Sequence, residues 1–150
     1  MVSLPKEVFE KGVEIGNIYL LKKHKLKNTN QPHLFIVVGR KDDGVVLFSC
    51  CTTQFEKRRR YIELAGLPLS TLVYIKPDNK NNLDEKTYVD CNRVIPHTID
   101  ELHCLSEEEN MSLIGTLNGG KLEEIKTGIN DSPNVEGEYK DIINGDGSEE

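Results

Sequence analysis

Two hydroxyls and an amide, Thr52, Thr53 and Gln54, follow directly on two thiols, Cys50 and Cys51, and three arginines come soon after as Arg58, Arg59 and Arg60. Hydrogen-bonding groups at the end of an apolar run sit at the rim of a scaffold, where they can be held rigidly. Guanidiniums beside them can clamp an oxyanion in two-pronged fashion. The plainer reading is that the threonines satisfy backbone groups as a strand ends and the arginines line a solvated edge. A second basic cluster is Lys22, Lys23, His24, Lys25 and Lys27. His24 carries the one side-chain type suited to both acid and base work near neutral pH, and the lysines equally suit an edge that resists aggregation. Asp90 and Asn92 flank Cys91; Asp90 is a candidate base or the ion-pair partner of a nearby arginine. Cys91, His97, His103 and Cys104 could be grouped into a metal reading, but no Cys-x-x-Cys pair supports it, and no metal or cofactor is expected.

These groups need elements to position them. Val45-Val46-Leu47-Phe48-Ser49 and His33-Leu34-Phe35-Ile36-Val37-Val38 are short apolar runs on either side of the turn Lys41-Asp42-Asp43-Gly44. They read as paired strands buried on both faces, so neighbouring Cys50 and Cys51 point to opposite sides. Further strands are expected at Asn17–Leu21, Tyr61–Leu64, Ser70–Ile75 and Thr87–Ile95, the last stopped by Pro96. Ser3 and Pro5 mark a short N-terminal helix. Ser106 and Glu109 form a capping-box pattern, and Met111, Ile114 and Leu117 make one apolar stripe, which predicts a C-terminal helix stopped by Gly119-Gly120. A short helical piece, Lys121 to Lys126, is an optional continuation. The expected fold is mainly β: a small antiparallel barrel with a short N-terminal helix and a C-terminal helix.

At 150 residues the chain is one domain able to bury a core without staples. Charged residues at 29% and hydrophobic ones at 37% suit a soluble chain with an unstructured portion. The packed domain is expected over residues 1–127, and 128–150 as an acidic flexible tail. The net charge of −6 conceals an asymmetry: residues 1–60 hold 12 Lys and Arg against 6 Asp and Glu, residues 61–150 hold 7 against 19. That division permits a local phosphate-binding face on an acidic protein. No run approaches membrane-spanning length and no secretory leader is visible, so a cytoplasmic protein with no membrane partner is expected. The four cysteines do not form a secreted disulfide framework.

The order of elements, with particular residues, resembles the MazF/PemK family of toxins. Gly16-Asn17-Ile18-Tyr19 is similar to the family's opening Gly-Asp and first strand, and Gln31-Pro32-His33-Leu34-Phe35-Ile36-Val37-Val38 to its Arg-Pro and apolar strand. Cys51-Thr52-Thr53-Gln54 is similar to the Thr-containing end of the next strand. Val89–Arg93 falls where the family has a strand carrying acidic and Gln residues, and Ser106–Leu117 where it has a closing helix. The likeness covers roughly residues 14–118. It implies an SH3-like barrel, a two-fold homodimer, an antitoxin protein as partner, and metal-independent cleavage of single-stranded RNA. The apolar faces of Leu34–Val38 and of the closing helix would supply surface for the second copy. In this chain Gln31 stands where the family has an arginine, and Asp90 and Asn92 stand around Cys91 where PemK-type members place an Arg and an Asp.

Metal-free RNA cleavage uses the adjacent 2′-hydroxyl as nucleophile and needs a base, an acid and positive charge on the phosphorane. By this resemblance the catalytic candidates are Thr52, Gln31, Arg58, Arg59 and Asp90. Lys22, Lys23, His24, Lys25, Lys27, Arg60, Thr53 and Gln54 are expected to bind RNA. An amide at position 31 cannot supply charge, so an arginine of the Arg58–Arg60 run is expected to do so. The alternative is a non-catalytic barrel acting as a nucleic-acid- or protein-binding module.

Overall fold

The computed structural model describes residues 4–26 and 30–145; Ser3, Lys27 and 146–150 lie outside it. Helix α1 (Lys6–Gly12) precedes strands β1 (Asn17–Leu21), β2 (His33–Arg40) and β3 (Val45–Thr52). Helix α2 (Phe55–Leu64), a 3-10 turn (Leu69–Thr71), β4 (Leu72–Ile75) and β5 (Thr87–Thr98) follow, then α3 (Ile99–Glu107), β6 (Met111–Thr116), α4 (Gly119–Asp131) and α5 (Gly137–Asn144). All six strands pair antiparallel in the order β4-β5-β3-β2-β1-β6.

The unbroken apolar strands are buried on both faces, as their composition predicts. Along β2, Phe35 and Val37 enter one core with Phe9 of α1 and Leu102 of α3; Ile36 and Val38 enter another with Ile125 and Ile129 of α4 and Ile143 of α5. Cys50 and Cys51 divide between the same two cores. Leu34 apart, the Leu34–Val38 run is fully covered by its own chain, so the surplus apolar surface expected there is absent. Exposed large apolar side chains are spread over Leu4, Val8, Ile15 and Leu113, and over α2, the 3-10 turn and β4 at Tyr61, Leu64, Leu69 and Tyr74.

The sheet is open where a closed barrel is expected. Between its edges runs the loop 76–86: Lys80 O accepts from Thr116 N at 3.1 Å, and Asn82 Nδ2 donates to Ile114 O at 2.9 Å. The Asn81 carbonyl occupies the space a side chain at Gly115 would need, so loop backbone, rather than β4, covers the edge of β6.

Six local expectations are corrected. Tyr61–Leu64 is the last turn of α2, because the charges that precede it pair at helical spacing: Arg59 meets Glu56 at 2.9 Å and Glu63 at 3.0 Å. The capping box is Thr98 with Glu101 rather than Ser106 with Glu109. Glu109 has φ 62°, which ends the helix, and Met111–Thr116 is recruited as a strand by the open edge of β1. Gly119-Gly120 opens α4 beneath the Asn118 cap instead of closing a helix. Residues 128–145, the described part of the tail expected to be flexible, complete α4 and carry α5, because Ile129, Val135 and Ile143 find apolar cover and Gly39 lets α5 close on β2. Strand β5 also runs through Pro96 to Thr98.

Candidate functional site

A bulge in β5 builds the site. Ser49 pairs with Val94, but the next residue of β3, Cys50, pairs with Asp90, so Cys91, Asn92 and Arg93 are looped out of the ladder. Cys91 sinks toward α4, its Sγ 3.5 Å from Ile125 O. Asn92 Nδ2 donates to Thr71 Oγ1 at 2.8 Å and Asp90 Oδ1 at 3.1 Å, while its Oδ1 accepts from Ser132 Oγ. Arg93 folds back, with Nε 3.7 Å from Asp90 Oδ2 and Nη1 3.8 Å from Cys50 Sγ.

Helix α2 supplies the second guanidinium. Arg58 Nη1 lies 3.6 Å from the same Asp90 Oδ2, and the group also sits over the Tyr61 ring at 4.9 Å. Asp90 is 2% exposed, and a carboxylate that buried requires paired charge. Two arginines around one carboxylate leave a positive remainder, and both are only partly covered.

This constellation opens into a groove of about 950 Å³. Lys25, Lys57, Arg58 and Arg93 line it against two acids, Asp90 and Glu136, a cationic surface on a chain of net charge −6. Thr52, Thr53 and Gln54 lie at its rim, where α2 begins without a side-chain cap. The first-turn N–H groups of such a helix favour an anion. Thr52 Oγ1 accepts from Gln54 N at 3.1 Å, which leaves the hydroxyl proton to donate outward.

Thr52, Thr53, Gln54, Gln31, Arg58, Asp90 and Lys25 thus meet in one groove. Lys22, Lys23, Arg59 and Arg60 do not line it. Arg59 is taken by its two glutamates, and Lys25 Nζ is committed to Pro96 O at 2.8 Å and Glu101 Oε1 at 3.3 Å. His24 is committed too: Nε2 is 2.6 Å from Gln31 O, and Nδ1 accepts from Leu26 N at 3.3 Å. Lining residues that escape the sequence reading include Lys57, Arg93 and His33, and Asn134, Glu136 and Tyr139 of the expected tail. His33 Nδ1 is 3.0 Å from Gln31 O; a carbonyl only accepts, so Nδ1 is the donor of this bond, and in that tautomer the lone pair is on Nε2. A helical period over 55–64 would have pointed to Lys57 and Arg58; nothing in the sequence marks the bulge that turns Arg93.

Burial pushes the Cys50 thiol up, against the pull of Arg93, and pushes Cys51 and Cys91 up further, so none is poised as a thiolate. The four residues of the metal reading are dispersed: His97 packs on Phe48, His103 on Phe9, Cys91 is buried and Cys104 exposed. Among the described residues no group of three His, Cys, Asp or Glu side chains could hold a metal ion, and no helix is long and apolar enough to cross a membrane.

The six-stranded antiparallel sheet with these helices is similar in fold to a solved MazF structure. The likeness is to the Mycobacterium tuberculosis toxin MazF-mt6, with a TM-score of 0.50 and 14% identity over 80% of this chain and 98% of that one; at that identity it bears on fold alone. No protein-family model matches the chain, and no curated protein matches it by sequence.

Proposed function

We propose that the protein is an endoribonuclease that cuts single-stranded RNA with the substrate's own 2′-hydroxyl. The observation that carries this reading is the meeting of Thr52, the uncapped start of α2, Arg58 and Arg93 in one groove beside Gln31. The scissile phosphate would lie on Arg58 and Arg93, which take over the charge that Gln31 cannot supply. Thr52 Oγ would donate to a non-bridging oxygen. Nε2 of His33 would take the 2′-hydroxyl proton; the 2′-oxygen then bonds to phosphorus as the bond to O5′ breaks, and that oxygen takes a proton from solvent water. The products are a 2′,3′-cyclic phosphate and a free 5′-hydroxyl. Under the same reading the chain acts as a homodimer held in check by an antitoxin, with the apolar side chains of α2 and β4 as contact surface. Gln31 favours the second reading, a non-cutting RNA-binding module.

The test is incubation of long mixed-sequence RNA with the protein in EDTA. Cutting with cyclic-phosphate ends is expected, and Thr52→Ala should slow it by about ten- to a thousandfold, the range for losing one donor to a developing oxyanion. Arg58→Ala should be at least as damaging and Arg59→Ala close to neutral; Gln31→Arg should keep or raise the rate. RNA binding without cutting would leave the module reading in its place.

A further inference from the structure

The groove divides its chemistry by element. Lys25 apart, its cations come from α2 and the β5 bulge; the C-terminal segment contributes an amide, a carboxylate and a phenol, Asn134, Glu136 and Tyr139, and no cation. That segment is firmly placed. Ser132 Oγ is bonded to Asn92 in the bulge and accepts from Asn134 N at 3.1 Å. Val135 is buried, Ile143 packs against Gly39, and Asn130 and Asn144 exchange amide hydrogen bonds at 3.1 and 2.9 Å. Tyr139 is half-buried, and partial desolvation pushes its phenol up, with Glu136 and Glu138 adding to the shift.

A nucleotide is divided in the same way, with an anion at one end and a flat ring bearing donors at the other. We propose that residues 134–139 are the base-reading wall of the groove, with Tyr139 stacking on one nucleobase and Glu136 selecting guanine. This rests on the ribonuclease reading and assigns specificity within it. A carboxylate only accepts hydrogen bonds. Guanine offers N1–H and its 2-amino group side by side, matching two carboxylate oxygens, whereas uracil sets an acceptor on each side of its single N–H. Unpaired bases are commonly read on this edge while stacked on an aromatic ring.

The experiment uses the full chain and 2′-O-methyl RNA hexamers, which cannot be cut: all-uridine, and uridine with one central G, A or C. Affinities are read by fluorescence anisotropy at about 50 mM salt, low enough for phosphate contacts to hold. The G hexamer should bind tightest, by about tenfold over all-uridine, as expected for a paired hydrogen-bond match. Glu136→Gln, at an exposed position, should erase most of that preference. Tyr139→Leu should weaken every hexamer by about tenfold, the loss of one stack, and Tyr139→Phe should not. A G preference that survives Glu136→Gln overturns the inference. So does equal tightening of all four hexamers by that variant, since the carboxylate would then merely repel the backbone. Equal binding of the four by the natural protein overturns the inference and leaves the ribonuclease reading standing; no binding of any hexamer removes both.

Discussion

Asp90 and His97 are two buried polar residues of one strand, β5, that the fold treats in opposite ways. Asp90 stands beside the bulge among Arg58, Arg93 and the Asn92 amide. His97 stands in the regular ladder opposite Val46, edge-on to the Phe48 ring at 5.6 Å, with Nδ1 3.5 Å from Glu101 Oε1. Burial, with Lys25 and to a lesser degree His24, lowers its pKa to about 4 against the opposing pull of Glu101, so it is neutral at physiological pH. The difference lies in the backbone. A ladder residue meets only what packs on its face, whereas a bulge lets three successive side chains turn to separate tasks and gather partners from α2, the 3-10 turn and the segment after α4. A charged centre is therefore built at the bulge, and a neutral one is tolerated elsewhere.

The largest effect should come from removing the charge at the bulge. Asp90→Ala leaves two guanidiniums facing each other without a counter-charge and should cost about 3–5 kcal/mol, the range for breaking a buried pair. Urea denaturation measures it, and a loss under 1 kcal/mol would mean that solvent already screens the pair.

His97 should give a pH-dependent effect. Its folded pKa lies below the ordinary 6.5, so the unfolded chain takes up the proton first. Its contribution is intact above about pH 6.5 and is lost as pH falls toward 4, by at most about 3 kcal/mol. The urea midpoint of the natural protein should fall across that window more steeply than that of His97→Phe, which keeps an aromatic ring beside Phe48. Equal slopes would place the titration in other groups.

The bulge can also be disturbed from behind. A Cβ at Gly128 would lie 2.8 Å from Ser70 O and 2.9 Å from Cys91 Sγ, so Gly128→Ala should displace α4 and cost about 1–3 kcal/mol by overpacking. Thermal melting reads this directly. A neutral or stabilising result would show that α4 shifts freely against the bulge.

The smallest effect is expected one residue from the site. Arg59→Ala removes surface pairs to Glu56 and Glu63 and a contact over the Phe55 ring at 5.8 Å, and should change stability by less than about 1 kcal/mol. An RNA-cleavage rate unchanged by Arg59→Ala and reduced by Arg58→Ala would sharpen the contrast between groove and surface; equal losses would erase it.

The sequence by itself determined the central strands, because Phe35–Val38 and Val46–Phe48 are apolar on both sides and only a doubly covered sheet buries them. It also determined the division of Cys50 from Cys51, which follows from a period of two, and the position of Thr52 and Gln54 where the apolar run ends. Only tertiary structure decided Met111–Thr116: its short apolar stripe suits a helix or an edge strand, and the unpaired edge of β1 made the choice. The same holds for residues 132–145, whose few apolar side chains look insufficient until Gly39 and α4 provide cover for Ile143. It holds for the site as well. Local composition shows three adjacent arginines, but which one faces Asp90 depends on the helical phase of α2, and the partnership of Arg58 with Arg93 depends on a bulge whose register is set by strands distant in the chain. Pattern and propensity are local quantities, whereas pairing partners and cover are supplied from elsewhere in the fold, and the geometry of this groove rests on the latter.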